Sequence, residues 1–280
     1  MKIYDCSIFR NELDLLEIRL KELYDHVDHF VIAEATHTFQ GEPKELVLKN
    51  NWDRFSKWHE KMIYVVVDDM PNDKNAWANE HHQRNSILLG IEDAADDDII
   101  IIGDSDEILR STVIDDMRQN SRDIYGFRTP YFNFKFNYML VDDPESYCVW
   151  IVAGKKKFIN LPENLRSTRF QLNSLGYEHD DGRIKIYEHA GWHFTYLGDN
   201  EWITTKLKSF SHTELNKPEV LNKINVEEMI TKGVGFNPLD PRPFVKVLLD
   251  DYFPKSIVEN RIKYTSLIIN DATDPITDYF

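Results

Sequence analysis

The chain has 280 residues, 42% hydrophobic and 29% charged, with a formal charge of −15 from 48 acidic against 33 basic residues. That length allows one large domain or two small ones, with a substantial core. The acidity excludes long-range attraction to nucleic acid, which needs clustered Lys and Arg; an anionic small substrate would need a local cation, a helix N-terminus or a metal.

Cys6 and Cys148 lie far apart with no CxxC, so neither a disulfide framework nor a zinc site is expected, and a reducing compartment suits the chain. The N-terminal "MKIYDCSIFRNELDLLEIRL" lacks the apolar run of a signal peptide. No window approaches the ~18–20 apolar residues of a spanning helix. A cytoplasmic protein without a membrane span is expected.

In chain order, "KIYDCSIF" (2–9) reads as a strand, followed by a helix that Asn11 can cap and in which Leu13, Leu16, Leu20, Leu23 and Val27 recur. "HFVIAEA" (29–35), "MIYVVVD" (62–68) and "DIIIIGD" (98–104) read as three more strands. Between the last two, "NAWANEHHQRNSILLGIEDA" reads as a helix with Ala78, His82, Asn85, Leu89 and Ala94 near one face. Alternation at this spacing implies βαβ units and a mostly parallel sheet. The run Ile99–Ile102 suits a central strand, apolar on both faces.

Beyond residue 110 the character changes. Residues 124–153 are aromatic-rich, and Phe132, Phe134, Phe136 and Tyr138 alternate as a half-buried strand requires. Residues 154–183 show weak periodicity and read as loops. "IKIYEHAGWHFTYLG" (184–198) reads as a strand pair or one long strand, and Asp199 can cap the helix "NEWITTKLKSFSH". Pro218, Pro238, Pro241, Pro243 and Pro254 suggest short helices and turns toward the C-terminus.

Ligands of open parallel sheets bind beyond the carboxyl ends of the strands, and there this chain places Asp104-Ser105-Asp106 followed by Glu107. Two carboxylates one residue apart can face a single hard cation such as Mn²⁺ or Mg²⁺, which would neutralise a departing pyrophosphate. The same residues could instead solvate a turn. Phosphatases of the haloacid dehalogenase class also end a strand in D-x-D, but their Thr or Val two positions on is Ile108 here.

The segments "FVIAEATHTFQGEPKEL" (30–46), "QRNSILLGI" (83–91), "DIIIIGDSDEI" (98–108) and "AGWHFTYLG…EWITTKLKSFSH" (190–212) occur in that order. Together they resemble glycosyltransferase family 17, the family that includes the enzymes adding bisecting GlcNAc, over roughly residues 3–215. The E-x-x-x-T-x-x-G-x-P-K and G-W-H-F segments are more specific than D-x-D. The resemblance implies an α/β, GT-A-like, Rossmann-type nucleotide-binding core, a UDP-sugar donor, a glycan acceptor, a divalent metal and inversion at the anomeric carbon.

Carried onto this sequence, the resemblance gives Glu34 a uridine contact, against the alternative of a turn carboxylate. Gly41, Pro43 and Lys44 would shape the donor loop, Lys44 meeting a phosphate. Arg84 would pair with phosphate or with Glu34 or Asp104. Asp104, Ser105 and Asp106 would hold donor and metal, with His212 or His193 as a third ligand. An inverting transfer needs a general base; Glu201 fits, with Asp199 as the competing candidate and the more natural helix cap.

On this reading residues 1–110 bind nucleotide and 111–215 supply the acceptor wall, with the aromatics of 131–138 and Trp192 as sugar platforms. Residues 216–280 form a helical closure. No anchor like that of the family's membrane-bound members is expected here, so a microbial or viral enzyme is expected, and GlcNAc or another sugar such as xylose stays open as the donated group. The rival class is a non-catalytic carbohydrate-binding scaffold on a degenerate transferase fold.

Overall fold

The computed structural model describes residues 1–71, 74–237 and 241–279; Pro238 lies outside them. In chain order come β1 (Ile3–Phe9), α1 (Leu13–Leu23), β2 (His29–Ala35), α2 (Val47–Asn50), β3 (Met62–Val67), α3 (Ala76–Asn85), β4 (Ile99–Asp104), β5 (Glu107–Leu109) and α4 (Ser111–Gln119). There follow β6 (Ile124–Asn133), β7 (Tyr138–Leu140), β8 (Tyr147–Lys155), α5 (Pro162–Ser167), α6 (Arg169–Leu172), β9 (Ile184–Tyr187), β10 (Gly191–Thr195) and α7 (Asn200–Leu207). The remainder holds α8 (Pro218–Leu221), α9 (Val226–Lys232), β11 (Phe244–Lys246) and α10 (Lys255–Val258).

The sheet runs β11-β7-β6-β8-β4-β1-β2-β3. Its β3-β2-β1-β4 portion is parallel, and β8, β6, β7 and β11 continue it with antiparallel pairs. From β1 the chain builds outward through β2 and β3, then returns to pair β4 on the other side of β1. The strand order therefore reverses between β1 and β4, and a crevice opens at their carboxyl ends. Ile8 lies opposite Asp104 there.

Burial explains the isoleucine run. Ile99 and Ile101 enter one core with Leu16, Leu20 and Phe127, whereas Ile100 and Ile102 enter a second with Val31, Ile87 and Leu165. A central strand between two helical layers must be apolar on both faces. Branching from β6 off the main strand order, β10 pairs parallel with β6 and antiparallel with β5. A Cβ on Gly191 would fall 2.0 Å from the Ile108 carbonyl oxygen, so only glycine allows this approach.

Several local expectations are corrected. Asn11 does not cap α1: the helix has no side-chain cap, Asn11 Oδ1 accepts from Arg10, and Glu12 accepts from the backbone N–H groups of Arg10 and Asn11. The helix expected over 75–94 stays α-helical only to Asn85, capped by Asn75 through Trp77 N–H, and its inner face is polar. Asn79, Glu80, Gln83 and Arg84 are buried, while Leu89 of the expected face is 61% exposed.

The aromatic alternation is a strand, a turn and a second strand: Phe134 adopts φ +63° just past β6, and all four rings are fully buried. Their period of two reflects core filling on both sides of the turn. Residues 154–183 are not all loop, because Pro162 opens α5 at its first turn, where its missing N–H costs nothing. Beyond residue 216 the chain contributes β11 as well as helices, and Asn137 ties it down by donating to the carbonyls of Val247 and Ile269 and accepting from Ile269 N–H. Among the described residues no helix is long and apolar enough to cross a membrane.

One buried ion pair fixes α1 against the strand ends. Arg19, 1% exposed, holds both Asp5 carboxylate oxygens at 2.6 and 2.5 Å, and its Nη1 donates to the carbonyls of Asp104 (2.8 Å) and Glu107 (2.9 Å). Arg19→Met would leave a carboxylate and two carbonyls buried and unmet. A loss of about 3–5 kcal/mol is expected, read as a lower urea midpoint at unchanged slope; a shift under 1 kcal/mol would show that water replaces the guanidinium.

Candidate active site

The turn after β4 brings Asp104, Ser105, Asp106 and Glu107 to the β1/β4 crevice. Ser105 Oγ donates to the Ile8 carbonyl, locking the turn onto β1, and Glu107 Oε2 accepts from Asp104 N–H at 2.9 Å. Glu107, fully buried, receives both Nη atoms of Arg166 at 2.8 and 2.6 Å. Arg166 Nη2 also reaches Asp104 Oδ2 at 3.1 Å, and Arg84 Nη2 meets Asp104 Oδ1 at 2.9 Å. Arg84 is held in turn by Glu80 at 2.7 Å and Glu163 at 2.5 Å.

Asp106 has different company. Its Oδ2 accepts from Lys206 Nζ at 2.8 Å and its Oδ1 lies 3.8 Å from His193 Nε2. The His193 ring sits edge-on to Tyr131 and Trp150, at centroid distances of 4.9 and 4.7 Å. Above these residues opens a cavity of about 680 Å³. Ile8, Phe9 and Arg10 from the end of β1 and Phe39, Trp77 and Gln83 line one side. Tyr131, Asn133, Trp150, Arg169 and Asn173 line another, and Lys206 of α7 with Phe210, His212, Leu215, Phe236 and Phe244 covers it.

Charge within the cavity is unevenly set. Burial pushes the Asp104 carboxyl up, but Arg166 and Arg84 outweigh it and hold the group well below the usual carboxylate range. Glu107 is held down likewise, burial being overcome by Arg166. At Asp106 burial wins over Lys206 and His193, so its pKa rises. Burial also pushes His193 down, which keeps the ring neutral. Burial and Arg166 push Arg169 down to about 10, leaving it cationic at neutral pH. Asn133 Oδ1, Trp150 Nε1 and His193 Nδ1 are buried without a hydrogen-bond partner among the described residues. All three residues line the cavity.

The structure gathers Arg84, Asp104, Ser105, Asp106 and His193 into one site. It does not bring Glu34 there. That carboxylate is fully buried, accepts from Leu48 N–H and Tyr64 Oη, and pairs with Lys44 at 3.4 Å, so both partners serve the start of α2. The loop through Gly41 and Pro43 does reach the cavity, by Phe39. Asp199 caps α7 through Trp202 N–H at 2.9 Å, and Glu201 is exposed on the first turn; neither lines the cavity. His212 lines its rim, paired with Glu214 at 2.5 Å and edge-on to Trp77. Trp192, Phe132, Phe134, Phe136 and Tyr138 are buried in the core and cannot be sugar platforms; of the 131–138 stretch, Tyr131 and Asn133 line the cavity.

The Mn²⁺ or Mg²⁺ set expected from D-x-D is not formed by these side chains. Three of the four oxygens of Asp104 and Asp106 accept from Arg or Lys, and the fourth faces His193. Among the described residues no three His, Cys, Asp or Glu side chains converge as a metal would need. Carboxylates engaged by cations are poor ligands until those contacts break, so the residues as arranged do not fit a resident divalent ion.

Arg166, Arg169, Lys206 and Trp150 are site residues that sequence reasoning missed. Signals existed for two. Pro162 at a helix start marks the helix carrying Arg166. Lys206 stands with Ile203 and Leu207 on the buried stripe of α7, a place where an unpaired lysine is costly.

The model of glycosyltransferase family 17 matches residues 1–147. A β-1,4-mannosyl-glycoprotein 4-β-N-acetylglucosaminyltransferase of Rattus norvegicus is 32% identical over 98% of this chain and 56% of its own, and that of Mus musculus is 31% identical over the same shares. The chain thus spans about half the length of these relatives. Among solved structures, S. aureus TarS (1–349) covers 78% of this chain and 66% of its own at 12% identity and TM-score 0.41. A glycosyltransferase involved in glycosylation of the PBCV-1 major capsid covers 67% and 82% at 10% identity and TM-score 0.34. The fold is of the α/β class that the sequence implied, with a parallel β3-β2-β1-β4 portion ending at the crevice.

Asp104 and Glu107 have folded pKa values below their unfolded ones. They stabilise the fold above about pH 4, near the unfolded carboxylate values, and that contribution is lost as pH falls through the depressed values. Arg166→Met removes the cause. It is expected to cost about 3–5 kcal/mol at neutral pH and to move acid unfolding to higher pH. Circular dichroism during an acid titration checks this, and an unmoved acid limb would mean that Arg166 does not hold the pair ionised.

Proposed function

The chain belongs to glycosyltransferase family 17, and from that premise we propose that it transfers a sugar from a UDP-sugar to a glycan hydroxyl with inversion. The observation that carries this reading is the cavity at the β1/β4 switch point, where strand ends, buried cations and unpartnered polar atoms meet. Nucleotides bind Rossmann-type sheets at such a crevice. The opposite wall, with Tyr131, Trp150 and Asn173, offers ring faces and amides suited to sugar hydroxyls. GlcNAc is the sugar to try first, because the relatives carry that transfer in their names.

Each charged group has a part on this reading. Arg84 and Arg166 keep Asp104 and Glu107 ionised and fixed, so the turn presents Asp106 to the cavity without rearranging. Preorganised charge of this kind is the largest single contribution in many group transfers. The phosphatase reading needs Asp104 as a nucleophile, and both of its oxygens are taken by guanidiniums. A pure binding scaffold has no use for four buried cations around one turn.

A panel of UDP-sugars, each with Mn²⁺, Mg²⁺ or chelator, tests the proposal by thermal shift and UDP release. One donor at 100 times its dissociation constant should add about 2.7 kcal/mol of stability, and UDP release should depend on a glycan acceptor. Asp106→Asn should cut transfer at least a hundredfold, about the scale of one lost electrostatic contact at the reacting centre. Its melting temperature should fall, because the amide oxygen still accepts from Lys206 but no longer neutralises the buried ammonium, so transfer is compared at a temperature where circular dichroism shows the variant folded. If no UDP-sugar binds under any condition, the proposal falls.

A further inference from the structure

We propose that Lys206, and not a divalent ion seated on Asp104 and Asp106, is the cation that receives the departing diphosphate; this rests on the nucleotide-sugar reading. Lys206 is 6% exposed on the apolar stripe of α7 and lines the cavity. Burying an ammonium is costly unless it is paired and hydrogen-bonded. Yet its Nζ makes one hydrogen bond among the described residues, to Asp106, and an ammonium carries three N–H donors. Two donors therefore have no oxygen acceptor among the described residues, on a side chain that lines the cavity.

Its surroundings fix it there. The rings of Tyr196, Trp202 and Phe210 lie with centroids 5.0, 5.5 and 5.9 Å from Nζ, close enough for cation–π attraction to the ammonium. Asp199 caps the start of α7, and Gln40 Nε2 donates to the carbonyls of Leu207 and Phe210 past its end, at 3.0 and 2.9 Å. Arg84 and Arg166 are committed to carboxylates. A metal bridging both aspartates would have to displace Arg84 or Arg166 from Asp104, whereas a diphosphate needs only the donors that Lys206 has free.

In the transfer, the bond from the anomeric carbon to the terminal phosphate oxygen breaks and its electron pair stays on that oxygen. The acceptor oxygen forms the new bond to carbon, and its proton passes to a base on the acceptor side. Lys206 donates hydrogen bonds to the oxygen on which charge develops, as a preorganised donor that gives up no proton in the step.

The test is titration calorimetry of the full chain with UDP and with uridine, in chelator and in Mn²⁺. Wild type, Lys206→Met, Lys206→Arg and the charge-neutral double Asp106→Asn/Lys206→Met are compared, the double guarding against misfolding from an unpaired Asp106. Wild type is expected to bind UDP in chelator as well as in Mn²⁺. Lys206→Met and the double should lose about ten- to a hundredfold in UDP affinity, the range for hydrogen bonds to charged groups. Uridine affinity should stay unchanged, and Lys206→Arg should recover most of the loss. UDP binding that requires Mn²⁺, or that ignores Lys206→Met and the double, overturns the inference while the nucleotide reading stands. If neither UDP nor uridine binds in any condition, both readings fall.

Discussion

Two buried guanidiniums, Arg19 and Arg166, grip the turn after β4 from opposite sides, and the rest of the site depends on that grip. Arg19 holds the carbonyls of residues 104 and 107 from the α1 side, and Arg166 holds their carboxylates from the α5 side. A four-residue turn carrying three acids would otherwise repel itself and splay into solvent. Clamped, it closes on its own backbone through Glu107 and Asp104 N–H. The cost of desolvating two arginines is offset because nearly all their donors find oxygen. Breaking one side strands charge rather than merely removing a contact.

The clamp also explains how an acidic chain can line a cavity with buried cations. A formal charge of −15 says nothing about one cavity. Here the acids are met locally by Arg84, Arg166 and Lys206, and Arg169 lines the same wall. Local charge is then close to balanced, and a low-dielectric wall magnifies whatever donors remain unspent. Long-range steering belongs to the surface; binding belongs to these few buried groups.

Much of the frame was legible because its signals are local. The strands at 3–9, 29–35, 62–67 and 99–104 carry their own apolar runs, and Ile99–Ile102 announced a strand covered on both faces. Asp199 as a cap needs only its own helix. What failed was judgement of which face turns inward. The inner face of α3 is polar because Gln83 donates to the carbonyls of Phe9 and Ala33, Asn79 donates to that of Phe39, and Arg84 serves Asp104. A helix that packs on strand ends must satisfy carbonyls rather than bury leucines, so hydrophobic periodicity pointed to its outer side. The rings of 131–138 failed in the opposite way: strict alternation is what a half-buried strand shows, and here a left-handed residue at Phe134 folds the run into the core.

The acidic motif itself shows where local reading ends. D-x-D fixes two carboxylates one residue apart, and a metal, a lysine or an arginine can each answer that geometry. Which one does is decided by groups far along the chain: Arg166 lies 62 positions from Asp104, and Lys206 lies 100 from Asp106. Those partners arrive only when α5 and α7 dock on the sheet, so the electrostatic character of the motif is a tertiary property. The same docking that builds the cavity chooses its cation, and a strand-end aspartate acquires a chemical role only together with the helix that closes over it.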